Sequence, residues 1–204
     1  MYIIVRHGNT FVAGETPRRI GARTDLPLTK HGVEQARALG RHFTDQGWHF
    51  ARALVSPLLR TRQTAEIILS AQDRAAPSTE PADFLREIDH GPDENATEAE
   101  VIRRVGTEAI EAWDNCVVPP QDWAVDAELR IAAWRELFAG VDTAQGPVLL
   151  VTSNGAGRFA LLADPVLKDA AAQLPSLKLP TGGFGIIARS ADGALSVPVW
   201  GQRP

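Results

Sequence analysis

The apolar run Tyr2 to Val5 ends abruptly on Arg6 and His7. An arginine beside a histidine at the end of a strand-like run joins a permanent cation to a side chain that is a nucleophile when its reacting nitrogen is unprotonated. Two other segments carry groups that suit the same chemistry. "SPLLRTRQTAEIILS" sets Arg60 near the start of a helix that follows the strand-like "ARALVS", and "VTSNGAG" sets Ser153 and Asn154 in the turn between a buried strand and a helix. Such a turn aims backbone N–H groups at an anion, and guanidinium forks match phosphoryl oxygens. Phosphoryl transfer needs little beyond positioning, charge neutralisation and a proton for the leaving oxygen. His7 as nucleophile, Arg6 and Arg60 as clamps, and Ser153 and Asn154 as further phosphate donors make such a set. The implied partner is a small phosphorylated substrate.

The proton is expected from the acidic stretch "EPADFLREIDHGPDENATEAE". Residues 80 to 100 hold eight carboxylates and one arginine, a density at which mutual repulsion is expected to raise some pKa values and keep a carboxyl protonated for general acid work. Glu87, just beyond the apolar pair Phe84 and Leu85, is the candidate, with Asp89, Asp93 and Glu94 as rivals. His90, three residues on, either projects into the same pocket as a substrate contact or is a surface loop histidine. The basic cluster Arg18, Arg19 and Arg23 either meets the remainder of an anionic substrate, with Arg19 as the candidate contact, or is solvated. No spacing in the acidic stretch demands a metal.

These groups need elements to position them. Residues 2–6, 51–56 and 147–153 have the pattern of buried strands, and 28–47, the stretch after Pro57, and 155–162 that of helices, with Pro57 at a helix entrance and Gly47 as a stop. Residues 98–113 and 124–139 are also expected to be helical, a short strand is expected within 72–83, and Asp192-Gly193 joins two strand-like runs as a hairpin. The pattern predicts one domain over 1–204: an α/β fold, mostly parallel sheet with helices on both faces, a helical lid insertion at about 92–143 and a C-terminal antiparallel hairpin. Ligands in such sheets bind outside the carboxyl ends of the strands, where Arg6, His7, Ser56 and Ser153 fall.

Composition narrows the function classes. The formal charge is −4, and the 21 lysines and arginines are dispersed, so neither a nucleic-acid surface nor an anionic-membrane surface is indicated. The single cysteine, Cys116, excludes an internal disulfide and a cysteine zinc cage. No run approaches the roughly 18 apolar residues of a membrane span, and a cytoplasmic protein is expected.

In this order, the segments resemble the histidine phosphatase superfamily, the phosphoglycerate-mutase-like proteins. "RHGNT" resembles the RHG motif, "GARTDLPLTKHGVEQARALG" the Gly-x-x-Asp-x-Pro-Leu-Thr segment and following helix, and "SPLLRTRQTAEII" the second-arginine segment. "LREIDHGPDEN" resembles the stretch that carries the family's acid, and "VLLVTSNGAGRFALL" its C-terminal motif. The resemblance implies hydrolysis of a phosphate monoester through phosphohistidine at His7, without a cofactor. Arg6 and Arg60 would hold the phosphoryl oxygens, and Glu87 would protonate the leaving alcohol and then help to activate water. One departure stands out. The family carries a second histidine in the form Ser-His-Gly, its position is expected at Ser153, and the five histidines 7, 31, 42, 49 and 90 all lie in the first half of the chain. A serine donates without bringing charge, which implies a slow phosphatase. A non-catalytic phospho-ligand binder is the rival, and a phosphoglycerate-type mutase asks more of the missing histidine.

Overall fold

The structure is a computed structural model that describes residues 1–140 and 145–204; positions 141–143, the end of the expected insertion, lie outside them. The apolar start of the chain becomes a central strand. β1 (Tyr2–Arg6) pairs in parallel with β4 (Val148–Thr152) and antiparallel with β5 (Phe184–Arg189). β2 (Arg52–Val55) joins the other edge of β4 in parallel, and the short β3 (Thr79–Pro81) joins β2. β6 (Leu195–Gln202) completes the C-terminal hairpin, so the order is β3-β2-β4-β1-β5-β6. The register sets Arg6 opposite Thr152, which brings His7 beside the turn that follows β4.

Strand alternation sorts the core into two layers. Ile3, Val5, Ala53, Val55, Leu149 and Val151 pack on Leu39 and Phe43 of α1 (Lys30–Asp45) and Ala65 and Ile68 of α2 (Leu59–Ser70). Tyr2, Ile4, Leu54 and Leu150 pack on the opposite face, with Trp134 and Phe138 of α5 (Ala127–Gly140) and with Phe159. No helix among the described residues is long and apolar enough to cross a membrane.

Three differences from the sequence expectation have local causes. The expected helix over 98–113 is two helices, α3 (Glu98–Val105) and α4 (Thr107–Cys116), because Gly106 takes φ +83°, which a right-handed helix cannot contain. The helix after β4 is only α6 (Asn154–Gly157), followed by a 3-10 stretch over Arg158–Leu162. A further helix, α7 (Pro165–Ala171), starts where Asp164 accepts from the Val166 N–H and a proline opens the first turn.

The loop after β1 lies backbone to backbone on the first turn of α1. A Cβ on Gly8 would sit 2.3 Å from the Gly32 carbonyl oxygen, and one on Gly32 would sit 2.2 Å from that of Asn9. Only glycines permit this approach, and it fixes the two residues that follow His7. Gly32→Ala should therefore cost about 1–3 kcal/mol, with a fall in melting temperature of about 2–4 °C per kcal/mol. Thermal unfolding against the parent chain measures it, and an unchanged midpoint would mean that the loop yields freely.

Candidate active site

His7 is buried just past the carboxyl end of β1. Its Nδ1 lies 2.7 Å from the Gly8 carbonyl oxygen, which can only accept. Nδ1 therefore carries the proton and Nε2 presents its lone pair, to which Arg60 Nε donates over 3.2 Å. Burial, then the charges of Arg60 and Arg6, push the imidazole pKa well below its usual value. A neutral ring with a directed lone pair is the nucleophilic form.

Arg60 is fully buried in α2 and is held by carbonyl oxygens: Nη1 donates to Thr24, and Nη2 to Ile20 and Gly21. Arg6 donates from Nη1 to the Leu179 carbonyl at 2.8 Å, and its Nε is enclosed without a partner. Burial pulls the Arg6 pKa down to about 10 against the support of Glu87, so it stays a cation at neutral pH.

Glu87 departs from the expected raised acid. One oxygen accepts from the N–H groups of Ala156 and Ile88, at 3.0 and 2.9 Å, and the other accepts from Gly155 at 3.0 Å. Burial would raise its pKa, but the His90 charge, the Gly155 and Ile88 N–H groups and Arg60 outweigh it and hold the carboxyl below its usual range. The turn after β4 does present N–H groups to an anion, as expected, and here the anion is Glu87. Crowding elsewhere in the acidic stretch is also relieved by distant partners. Asp93 binds Arg104 and the Trp123 indole N–H, and Glu80 binds Arg52. Burial pushes the Glu94 pKa up, but the His90 ring, the Thr24 hydroxyl and the His90 and Gly21 N–H groups bring it down to about 2.

An open cavity of about 930 Å³ lies over this floor and is lined by Arg6, His7, Glu87, His90, Asn154 and Gly155, among others. His90 is buried there rather than at the surface, packed edge-on against Trp123 with ring centroids 4.6 Å apart. Arg18 and Arg19 also line the cavity, paired with Glu15 at 2.9 Å and Glu98 at 2.7 Å. Arg23 instead turns to Asp89 and the Gly91 carbonyl.

The family model described as "Histidine phosphatase superfamily (branch 1)" matches residues 2–197. The chain belongs to this superfamily. A 2,3-bisphosphoglycerate-dependent phosphoglycerate mutase of Rhizobium meliloti (strain 1021) is 24% identical over 199 residues, which span 95% of this chain and 92% of that protein. Among solved structures, one titled "Mycobacterial hydrolase 1" has a TM-score of 0.78 at 19% identity and covers 100% of this chain and 98% of its own. A mycobacterial glucosyl-3-phosphoglycerate phosphatase has a TM-score of 0.76 at 20% identity, covering 98% of this chain and 97% of its own. At these identities the structural likeness establishes the fold.

Against the superfamily motif, the expectation for Ser153 needs correction. In register, Ser-His-Gly falls on Ser153-Asn154-Gly155, so Asn154 stands where the second histidine would be. The geometry agrees: Ser153 is fully buried, its Oγ is enclosed without a partner, and it is not part of the cavity wall, whereas Asn154 is. Asn154 Oδ1 accepts from the Leu179 N–H at 3.0 Å.

Two arginines near the site were not singled out by sequence reasoning. Arg158 is fully buried, with Nη1 donating to the Trp113 carbonyl, and Arg130 donates to the carbonyls of Val125, Phe84 and Arg86. The signal for Arg158 was its place in the apolar run "RFALL". A charged residue there has no route to solvent along a buried face.

The Glu94 shift makes a stability prediction. A folded pKa near 2 against an ordinary value near 4.5 gives stability that is full above the ordinary value and is lost as the pH falls toward 2. Glu94→Gln should cost about 2–3 kcal/mol at neutral pH. In denaturant titrations the gap to the parent chain should shrink from pH 5 downward. A gap that stays constant with pH would show that the lost packing, not the charge, matters.

Proposed function

We propose that the chain is a phosphomonoesterase that acts on a small phosphorylated substrate through a phosphohistidine at His7. The observation that carries this reading is the neutral His7 ring, whose Nε2 accepts from Arg60, in the wall of a 930 Å³ cavity that Arg6 also lines. Phosphoryl transfer is driven by positioning and by charge aimed at the transferring group. His7 Nε2 attacks phosphorus, and Arg6 and Arg60 hold the phosphoryl oxygens with the Asn154 amide beside them. Glu87, ionised by its N–H partners, serves the second step by taking a proton from the attacking water. The helical segment from residue 92 onward, which contributes Glu98, Trp113 and Asp114 to the cavity, acts as the lid that selects the leaving group.

The Rhizobium relative named as a mutase favours a second reading, reversible transfer within a bound phosphoglycerate. Such transfer needs a phosphohistidine that outlives product exchange, and Asn154 brings no charge to protect it.

Incubation with 4-nitrophenyl phosphate, with phosphate release and acid-labile, base-stable labelling followed together, tests the reading. His7→Ala should abolish both signals. Asn154→His should restore a charged donor and raise turnover by about tenfold or more. Labelling that persists in His7→Ala would remove His7 from the nucleophile's place. Transfer between phosphoglycerates without net phosphate release would favour the mutase.

A further inference from the structure

The two ends of the cavity carry charge in different ways. Beside His7, Arg6 and Arg60 donate to backbone carbonyl oxygens and keep their full charge. Farther out, the loop after β1, the lid helices α3 and α4 and the segment before β5 bring charged side chains to the wall, and there each cation meets a carboxylate. Arg19 Nη2 donates to both oxygens of Glu98, at 2.9 and 2.7 Å, with its guanidinium 5.1 Å over the Trp123 ring. Arg18 Nη2 donates to Glu15 at 2.9 Å and its guanidinium lies 5.5 Å over the Phe11 ring. Lys178 Nζ lies 2.6 Å from Asp114 Oδ2. Among the described residues, the lining lysines and arginines outside such pairs are Arg6 and Lys30, and Lys30 is exposed at the start of α1, where water and salt screen it.

We propose that the alcohol part of the substrate is uncharged: the substrate is the phosphate monoester of a neutral, hydroxyl-bearing compound, and the phosphoryl group is its only anion. The inference deepens the phosphatase reading above and rests on it. An ion pair offers hydroxyl groups both donors and acceptors, because a carboxylate oxygen that accepts from an arginine keeps a free lone pair. A carboxylate or a second phosphoryl group on the alcohol would instead meet acceptors where it needs donors. To be bound, it would have to draw Arg19 or Lys178 from a partner already at 2.7 or 2.6 Å and leave Glu98 or Asp114 uncompensated beside it.

The pairs are more than loose surface contacts. A pair in open solvent contributes little, but the Arg19 side chain is only 16% exposed, stacked on Trp123 and paired with Glu98. Asp114 is half-buried and has a second cation at hand, since its Oδ1 lies 3.9 Å from Nη2 of the buried Arg158. Apolar side chains complete the wall: Val12, 61% exposed, Ile20 and Trp113 line the same cavity. A valine left open to water is covered when an uncharged body sits against it, and burial against such a surface favours that body over a hydrated anion.

Two esters on one skeleton test this: 3-phosphoglycerate, and the glycerol phosphate of the same configuration, in which a hydroxymethyl group replaces the carboxylate. Each is followed by phosphate release and as a competitor of 4-nitrophenyl phosphate, at equal pH and ionic strength. The glycerol ester should have the higher kcat/KM and compete more tightly, by about tenfold. Glu98→Gln leaves Arg19 without its carboxylate and should narrow that ratio several-fold by improving 3-phosphoglycerate. Asp114→Asn should act in the same direction through Lys178, and Arg19→Gln added to Glu98→Gln should restore the preference. If neither ester is hydrolysed, the two inhibition constants decide. Equal or better handling of 3-phosphoglycerate by the parent chain would overturn the inference, and so would a ratio that neither single variant moves. If 4-nitrophenyl phosphate itself gives neither label nor turnover, the phosphatase reading falls, and this inference falls with it.

Discussion

The site is organised by positive charge that is hydrogen-bonded but not neutralised. Arg60 and Arg158 are fully buried, Arg6 and Arg130 partly so, and nearly all their close partners are backbone carbonyl oxygens. A carbonyl satisfies an N–H donor yet leaves the full charge in place. Glu87 is the one buried carboxylate whose field reaches all four. Burial costs each guanidinium several kcal/mol in solvation, and the local surplus of cations is relieved only by an anion entering the cavity. A phosphoryl group, with charge spread over three oxygens, suits that deficit better than a carboxylate does.

The sheet is what keeps the surplus in one place. β1 lies between β4 and β5, so the residues after β1 and β4 emerge side by side, and β2 delivers the chain into α2 and Arg60. Gly8 and Gly32 then let the loop after β1 rest on α1, and the Gly8 N–H donates to Thr64 Oγ1 of α2 at 3.2 Å. The His7 ring is thus held by the Gly8 carbonyl of a loop that α1 and α2 fix in turn. Rigid placement of this kind is the main contribution a protein makes to phosphoryl transfer.

Much of this was legible from residue types. Tyr2 to Val5 as a buried strand, Arg6 and His7 at its end, Arg60 on the helix after β2 and the C-terminal hairpin all follow from short-range pattern, because each depends on its immediate neighbours. What the sequence hid depends on residues far apart in the chain. The acidic stretch looked crowded because Arg104, Arg52 and the N–H groups after β4, which relieve it, lie outside the window that was counted. His90 could not be told from a surface histidine without Trp123, thirty-three positions later. The break at Gly106 was visible as a glycine, but its positive φ was not.

Asn154 and Glu87 set opposing electrostatic demands at the turn after β4. A neutral amide at the turn after β4 removes a cation from the phosphoryl end of the cavity, yet the N–H groups of the same turn remain, held by Glu87. A carboxylate there competes with the phosphoryl group for those donors and repels it, a cost that the arginines offset at their end of the site. The site can therefore lack charge at Asn154 and stay receptive to a dianion, because the guanidinium groups of Arg6 and Arg60 keep their full charge among carbonyl partners.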